Sequence, residues 1–348
     1  MQLKDICCAQ SSNIALKDLK HNSGPYPIYG ASGFITCVDF FKVDKPYVGV
    51  VKDGAGVGRV MLLPEKSSVI GTMQSIIPTA GTDAKYLSYL LDFLDLGRFC
   101  SGATIPHIYF KDYGKETIPT HSPEQQQEIS AALDKITKLI ALRQGQLAKL
   151  DQLAKSRFIE MFGDPVTNPM CWSQKTMKEM ALRLSDGPFG SNLKSEHYAN
   201  DGIRVIRLQN IGVNKFVDND RAFVSLQHYE TIKKYTCRGG DIVIGTLGEP
   251  NLRACLIPNY IHVAINKADC VHYVPNDIFL NKIFVCFYLN IPATLSLASG
   301  MIHGQTRSRI SSGQIAKLPI ILPPLSLQNE FAAFIEQLDK SSIFIRSS

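Results

Sequence analysis

No uninterrupted apolar run in this 348-residue chain reaches the roughly 18 residues that a membrane-crossing helix needs. The opening MQLKDICCAQ lacks both a basic segment and a following apolar segment. Neither a membrane span nor a secretory signal is expected. Cys-x-x-Cys pairs are missing too. The nine cysteines are odd in number; Cys7 and Cys8 are adjacent, and Cys37, Cys100, Cys171, Cys237, Cys255, Cys270 and Cys286 lie far apart. That pattern argues against a disulfide framework or a zinc site and for buried apolar thiols in a reducing cytoplasm.

Catalytic signatures are equally scarce. The sequence has no GxxxxGK[ST] phosphate loop, no HExxH, no GxSxG and no paired-carboxylate nuclease pattern. Asn168-Pro169-Met170 lacks the second proline and the aromatic residue of an adenine-methyltransferase motif. Gly54-Ala55-Gly56-Val57-Gly58 lies between two strand candidates and does not open a helix, so it reads as a turn. A chain without catalytic centre, metal or cofactor of its own is the expectation.

What is present is an ordinary globular composition, with 45% hydrophobic and 20% charged residues. The length suits two domains plus a spacer. Of the net charge of +6, most sits in residues 164–325, where 17 Lys and Arg oppose 12 Asp and Glu. A mild basic bias permits nucleic-acid binding without establishing it.

The clearest local signal spans residues 122–163. Ser122-Pro123-Glu124-Gln125 offers an N-cap, a proline at the first helical position and a glutamine to close a capping box. Up to the stop signal Gly163-Asp164-Pro165 there is no further proline and one glycine, Gly145. Ile129, Leu133, Ile136, Ile140, Leu147, Leu150, Ala154 and Met161 recur in steps of mostly three and four, the mark of a coiled-coil seam, with Arg143 at one seam position. Leu139, Leu142, Leu153 and Phe158 widen the face. Such a helix would be roughly 55 Å long and needs a partner.

The sequence also repeats. At a constant offset of 202, Gly102 faces Gly304, Thr104 faces Thr306, Ile108 faces Ile310, Lys115 faces Lys317, Gln126 faces Gln328 and Glu128 faces Glu330. Ile129 then faces Phe331 and Leu133 faces Ile335, without a gap. More loosely, Tyr26-Pro27-Ile28-Tyr29 matches Arg204-Val205-Ile206-Arg207, and Val51-Lys52-Asp53-Gly54 matches Ile244-Gly245-Thr246-Leu247. One head-and-helix unit is used twice. The predicted plan is a mixed α/β (α+β) head at 1–121, a spacer helix at 122–163, a second head at 164–325 and a short helix at 326–348. Strands are predicted at 47–51, 59–63 and 69–77 in the first head and at 203–208, 241–245, 254–257 and 269–274 in the second, with helices at 84–96 and 278–289.

Two heads on a rod would act as a ruler along a duplex whose half-sites lie about 34–36 Å apart per turn. Base reading needs Arg, Asn, Gln or similar side chains in a groove, and positioning needs phosphate contacts. In the second head the candidates are Ser191, Asn192 and Lys194 in the glycine-rich loop 186–194, Arg204, Arg207, Gln209 and Asn210 around a strand end, and His303, Gln305, Arg307 and Arg309 before the second helix. In the first head they are Tyr29, Lys52, Arg59, His107 and Lys111.

Together these stretches resemble the specificity (S) subunit of Type I restriction–modification systems. The resemblance is carried by Pro323-Pro324-Leu325 with Gln328 and Phe331, by Phe158-Ile159-Glu160-Met161-Phe162-Gly163-Asp164-Pro165, by 186–194 with 203–211, by Gly240-Asp241-Ile242-Val243-Ile244 and by Gly304-Gln305-Thr306. It implies two target-recognition domains separated by helices that pair antiparallel, and a bipartite double-stranded DNA target. It also implies two modification subunits and restriction subunits as partners, with S-adenosylmethionine, ATP and Mg on those partners. Departing from this pattern, Gln328 is followed by 20 residues where Gln126 is followed by about 37 of helix, so the second helix is expected to be short or truncated, or completed by self-association. A specificity subunit serving a fused nuclease–methyltransferase and a protein-only assembly scaffold remain the alternatives.

Overall fold

The computed structural model describes residues 1–20, 22–102, 105–300 and 309–347, with Phe344, Arg346 and Ser347 described by backbone alone. The chain divides into two compact units, Met1–Leu142 and Arg143–Ser348. The division falls inside the long helix, so each unit holds one head and part of that helix.

In the first unit four antiparallel strands run in the order Cys7–Ser11, Met73–Pro78, Tyr47–Val51, Val60–Leu63. Tyr47–Val51 is buried along its whole length. Its side chains alternate: Val48 and Val50 join Ile76 under the helix Ala84–Phe93, while Tyr47 and Val51 join Leu63, Val69 and Met73 on the other face. A strand buried on both faces needs apolar residues at both phases, and valine and tyrosine suit extended backbone. The second sheet has the order Gly33–Val38, Tyr26–Gly30, Ser68–Val69, and its last pair is parallel. The single strand predicted over 69–77 is thus two strands in two sheets, parted at Ile70-Gly71-Thr72.

The second unit repeats this plan. Its four-stranded antiparallel sheet has the order Ala181–Ser185, Cys270–Pro275, Ile242–Gly245, Arg253–Leu256, and the helix Lys282–Asn290 takes the place of Ala84–Phe93. The second sheet of this unit again holds a parallel pair, Ile203–Ile206 with Ala264–Asn266. Two further strands, Tyr198–Ala199 and Thr236–Cys237, enlarge it to five and account for part of the larger second head.

Backbone pairing corrects the looser upstream matches by one residue. Ile108 donates its amide to Lys52 O, as Ile310 does to Thr246 O, each at 3.0 Å. Lys52 therefore corresponds to Thr246, not Gly245. In the same way Ile70 donates to Tyr29 O at 3.0 Å and Lys267 to Ile206 O at 2.9 Å, so Tyr29 corresponds to Ile206, not Arg207.

The long helix is Pro123–Phe162. Ser122 and Gln125 close the expected capping box: Ser122 Oγ accepts from Gln125 N at 3.3 Å and Gln125 Oε1 accepts from Ser122 N at 2.9 Å. At the far end Gly163 has φ +76° and donates to Ile159 O, and Trp172 Nε1 donates to Phe162 O at 3.0 Å.

The seam is only partly covered. Ile129 packs on the first head's core. In the second unit Ala154, Phe158, Met161 and Phe162 are buried with Phe331 and Ile335 of the C-terminal helix Leu325–Ser347. Four phenylalanines, 158, 162, 284 and 331, meet at centroid distances of 4.8–5.5 Å, and Arg157 pairs with Glu330 at 3.1 Å. Leu133, Leu147 and Leu150 are half-buried. Ile136 and Ile140, expected in a buried seam, are each 52% exposed, and Leu139 and Leu142 are more so. Burial follows the stretches where a head or the C-terminal helix lies alongside. Among the described residues no single helix is long and apolar enough to cross a membrane.

Candidate nucleic-acid interface

In the first head, the end of strand Tyr47–Val51 and the segment 105–111 are tied by backbone. Asp53 bridges His107, Gly54 donates to Pro106 O, and Ile108 donates to Lys52 O. This brings together Lys52, His107 and Lys111 from the predicted set. His107 Nδ1 donates to the Asp53 carboxylate, since a carboxylate accepts only. Lys52 Nζ lies 3.8 Å from the same carboxylate, and Lys111 Nζ lies over the Tyr109 ring at 4.9 Å. Arg59 is exposed and reaches Ala31 O at 2.9 Å, beside the hairpin where Tyr29 meets Phe34 edge-on.

In the second head the glycine-rich loop and the segment before the second helix also meet. Ser312 Oγ donates to Asp186, and the Arg309 guanidinium stands 5.8 Å from the Phe189 ring centroid. Arg309 pairs with Asp269 at 2.7 Å. Ser191, Asn192 and Lys194 are exposed on this loop; Asn192 Nδ2 donates to Phe189 O, and Lys194 Nζ is 3.6 Å from Glu196. Gln209 is exposed nearby in sequence to the strand Ile203–Ile206. His303, Gln305 and Arg307 lie outside the described residues.

Two predicted contacts have structural work instead. Arg204 is 8% exposed, with Nη2 bound to Asp218 Oδ1 at 2.6 Å and Asp220 O at 2.8 Å. Asn210 is wholly buried: its Oδ1 accepts from Arg207 N, and its Nδ2 donates to Val217 O and Asp220 O. These bonds fold the 207–220 loop onto the sheet, and burial turns both side chains away from the surface. Arg207 is half-buried and spends Nε and Nη2 on the Asp220 carboxylate.

The residues that sequence reasoning missed are the organising carboxylates Asp53, Asp218, Asp220 and Asp269, with the aromatic Tyr109. Asp218 also accepts from Arg221 at 2.7 Å and Tyr260 at 3.1 Å. Burial works to raise its pKa, but Arg204 foremost, then Tyr260 and Arg221, prevail and hold it below the ordinary carboxylate value. Deeper in the same head, buried His272 donates Nε2–H to Asp241 at 2.9 Å. Burial likewise opposes ionisation of Asp241; His272, the Arg238 amide and Lys282 outweigh it and lower its pKa. No group of three metal-ligating side chains exists among the described residues.

Known proteins match this duplicated plan. Residues 1–152 and 188–346 match the family model of the Type I restriction modification DNA specificity domain. The specificity subunit of the Type I restriction enzyme MjaIX from Methanocaldococcus jannaschii is 21% identical over 305 residues, 82% of this chain and 69% of that protein. The S subunit of a Type I restriction–modification system from M. genitalium superposes with a TM-score of 0.59 at 16% identity, over 100% of this chain and 90% of that one. A chain from a type I R-M system solved to explain its complex assembly and conformational transition gives 0.56 at 15% identity, over 100% and 91%. Those likenesses show the fold, and the family match spans most of both units: the chain belongs to the Type I restriction modification DNA specificity domain family and carries that domain in two copies.

Proposed function

We propose that this chain is the DNA sequence-recognition subunit of a Type I restriction–modification complex, each head reading one half of a bipartite target. The observation that carries this reading is the duplication itself: two heads of one topology, each ending in a helix that begins with the same glutamine anchor. A single head reads a few base pairs, and two linked heads multiply their selectivity. On this reading the helices set the spacing between half-targets. Methylation and cleavage, with their S-adenosylmethionine, ATP and Mg, belong to modification and restriction subunits.

The apolar stretch Ile136, Leu139, Ile140 and Leu142 supports docking of such subunits, because exposed apolar side chains in a run gain from being covered. The test is to assemble the chain with its modification subunits and select binders from a random duplex library. Recovery of a two-part motif, with affinity that falls steeply as salt rises, is expected. Binding without any sequence preference would overturn the assignment.

A further inference from the structure

The duplication allows each head to be compared with the other position by position, and one position keeps its backbone while changing its chemistry. In the first head an isolated antiparallel bridge pairs Asp53 with His107; in the second it pairs Leu247 with Arg309. The next residue is a buried isoleucine in both, Ile108 and Ile310, whose amides donate to the equivalent carbonyls of Lys52 and Thr246. His107 and Arg309 therefore occupy the same place in their heads.

Both side chains are held in the same manner. A carboxylate grips each one, Asp53 for His107 and Asp269 for Arg309. An aromatic ring backs each one, Tyr109 at 4.0 Å between centroids for His107 and Phe189 for Arg309. The two carboxylates come from different loops of the repeat, so the shared feature is a gripped polar side chain and not an inherited pair. Arg309 still has a side chain 47% exposed, unlike Arg204 at 9%.

What each offers outward differs. In the neutral form of its ring, with Nδ1–H given to Asp53, His107 offers Nε2 as an acceptor, and no described residue takes it. Arg309 keeps guanidinium donors beyond those facing Asp269, with no partner for them among the described residues. In the major groove guanine presents two acceptors, whereas adenine and cytosine present an amino donor.

We propose that His107 and Arg309 are matched specificity-determining residues, Arg309 selecting guanine at one position of its half-target and His107 selecting an amino-bearing base, adenine or cytosine, at one position of the other. This rests on the DNA-reading function proposed above. The experiment is library selection with the chain assembled with its modification subunits, comparing wild type with Arg309→Ala, Arg309→Lys and His107→Arg. Arg309→Ala should cost roughly ten-fold or more in discrimination for guanine at one position of one half-target and leave the other half-target unchanged. Arg309→Lys keeps the charge and the Asp269 contact but loses the planar fork, so selectivity should fall while non-specific affinity holds. His107→Arg should shift one position of the other half-target toward guanine. A wild-type motif that survives unchanged in Arg309→Lys and His107→Arg would overturn this proposal while leaving the DNA-reading function intact. A wild type that selects no motif would overturn both.

Discussion

Gln126 and Gln328 make the same three hydrogen bonds, one set in each unit. Gln126 Oε1 accepts from Asp83 N at 2.9 Å, and its Nε2 donates to Gly81 O and His121 O. Gln328 Oε1 accepts from Asn281 N at 2.9 Å, and its Nε2 donates to Phe279 O and Pro323 O. Asp83 and Asn281 are themselves the N-caps of the helices Ala84–Phe93 and Lys282–Asn290. One amide thus joins the start of the stalk helix to the start of the head's helix. Gln→Ala at either site strands a buried donor and two carbonyls, and about 2–4 kcal/mol of stability should be lost. Gln→Glu should be worse, because a carboxylate would face two carbonyl oxygens. Hydrogen exchange should rise around residue 83 for Gln126→Ala and around residue 281 for Gln328→Ala, each without the other. Uniform exchange across both heads would contradict a local anchor.

Arg204 separates structural from recognition arginines. Its removal leaves Asp218 with Arg221 and Tyr260 and leaves Asp220 O with Asn210 as its remaining donor, so Arg204→Ala should destabilise the second unit by about 2–4 kcal/mol. The selected motif should stay unchanged wherever the variant is folded. A changed motif at full stability would return Arg204 to the recognition surface.

Acid should unfold the second unit through Asp218 and Asp241. Both have folded-state pKa values below the ordinary carboxylate value. The unfolded chain therefore takes up protons first as pH falls. Their contribution is complete above the unfolded pKa near 3.8, and it is lost as pH drops through that value to the lower folded one. Melting temperature should fall with pH across this window, and Asp218→Asn with Asp241→Asn should flatten the dependence. An unaltered slope in the double variant would assign acid lability elsewhere.

Thiol reactivity should report the cores directly. Cys7, Cys255 and Cys270 are buried, which pushes each thiol up to about 12. Cys237 and Cys286 are also raised by burial. Cys8, Cys100 and Cys171 are exposed. Alkylation of native protein near pH 8 should modify the exposed three and spare the buried five, as mass spectrometry would show. Rapid labelling of Cys255 or Cys270 in folded protein would mean that the second core opens locally.

The long helix and the downstream half of the repeat were legible because helical period, capping chemistry and buried anchors are all local signals. Ile108, Gln126 and their counterparts hold their places through contacts that any change would break. The upstream match slipped by one residue because loops between strands differ in length between the heads, and a strand's alternation reads equally well in a frame that puts the wrong side chain inward. Cys7–Ser11 and Tyr26–Gly30 carry little strand signal in sequence because Gln10, Ser11, Pro27 and Gly30 dilute their apolar pattern. Arg204 and Arg309 look alike in sequence. Their different roles come from Asp218 and Asp269, 14 and 40 residues away, which only the fold brings alongside.

Ile136 and Ile140 test what the middle of the stalk is for. A buried seam would make Ile136→Asp or Ile140→Asp costly to the chain itself, since a charge would enter an apolar interior. Both side chains are half-exposed, so each substitution should change the stability of the isolated chain by only about 0.5 kcal/mol. Phe331→Ala is the contrast: its ring is wholly buried among Phe158, Phe162 and Phe287, and its loss should cost about 3–5 kcal/mol. The aspartate variants should instead fail to co-purify with modification subunits while melting normally. If they melt several degrees lower and still assemble, the stretch is covered within the chain's own fold in solution, and the docking role assigned to it is wrong.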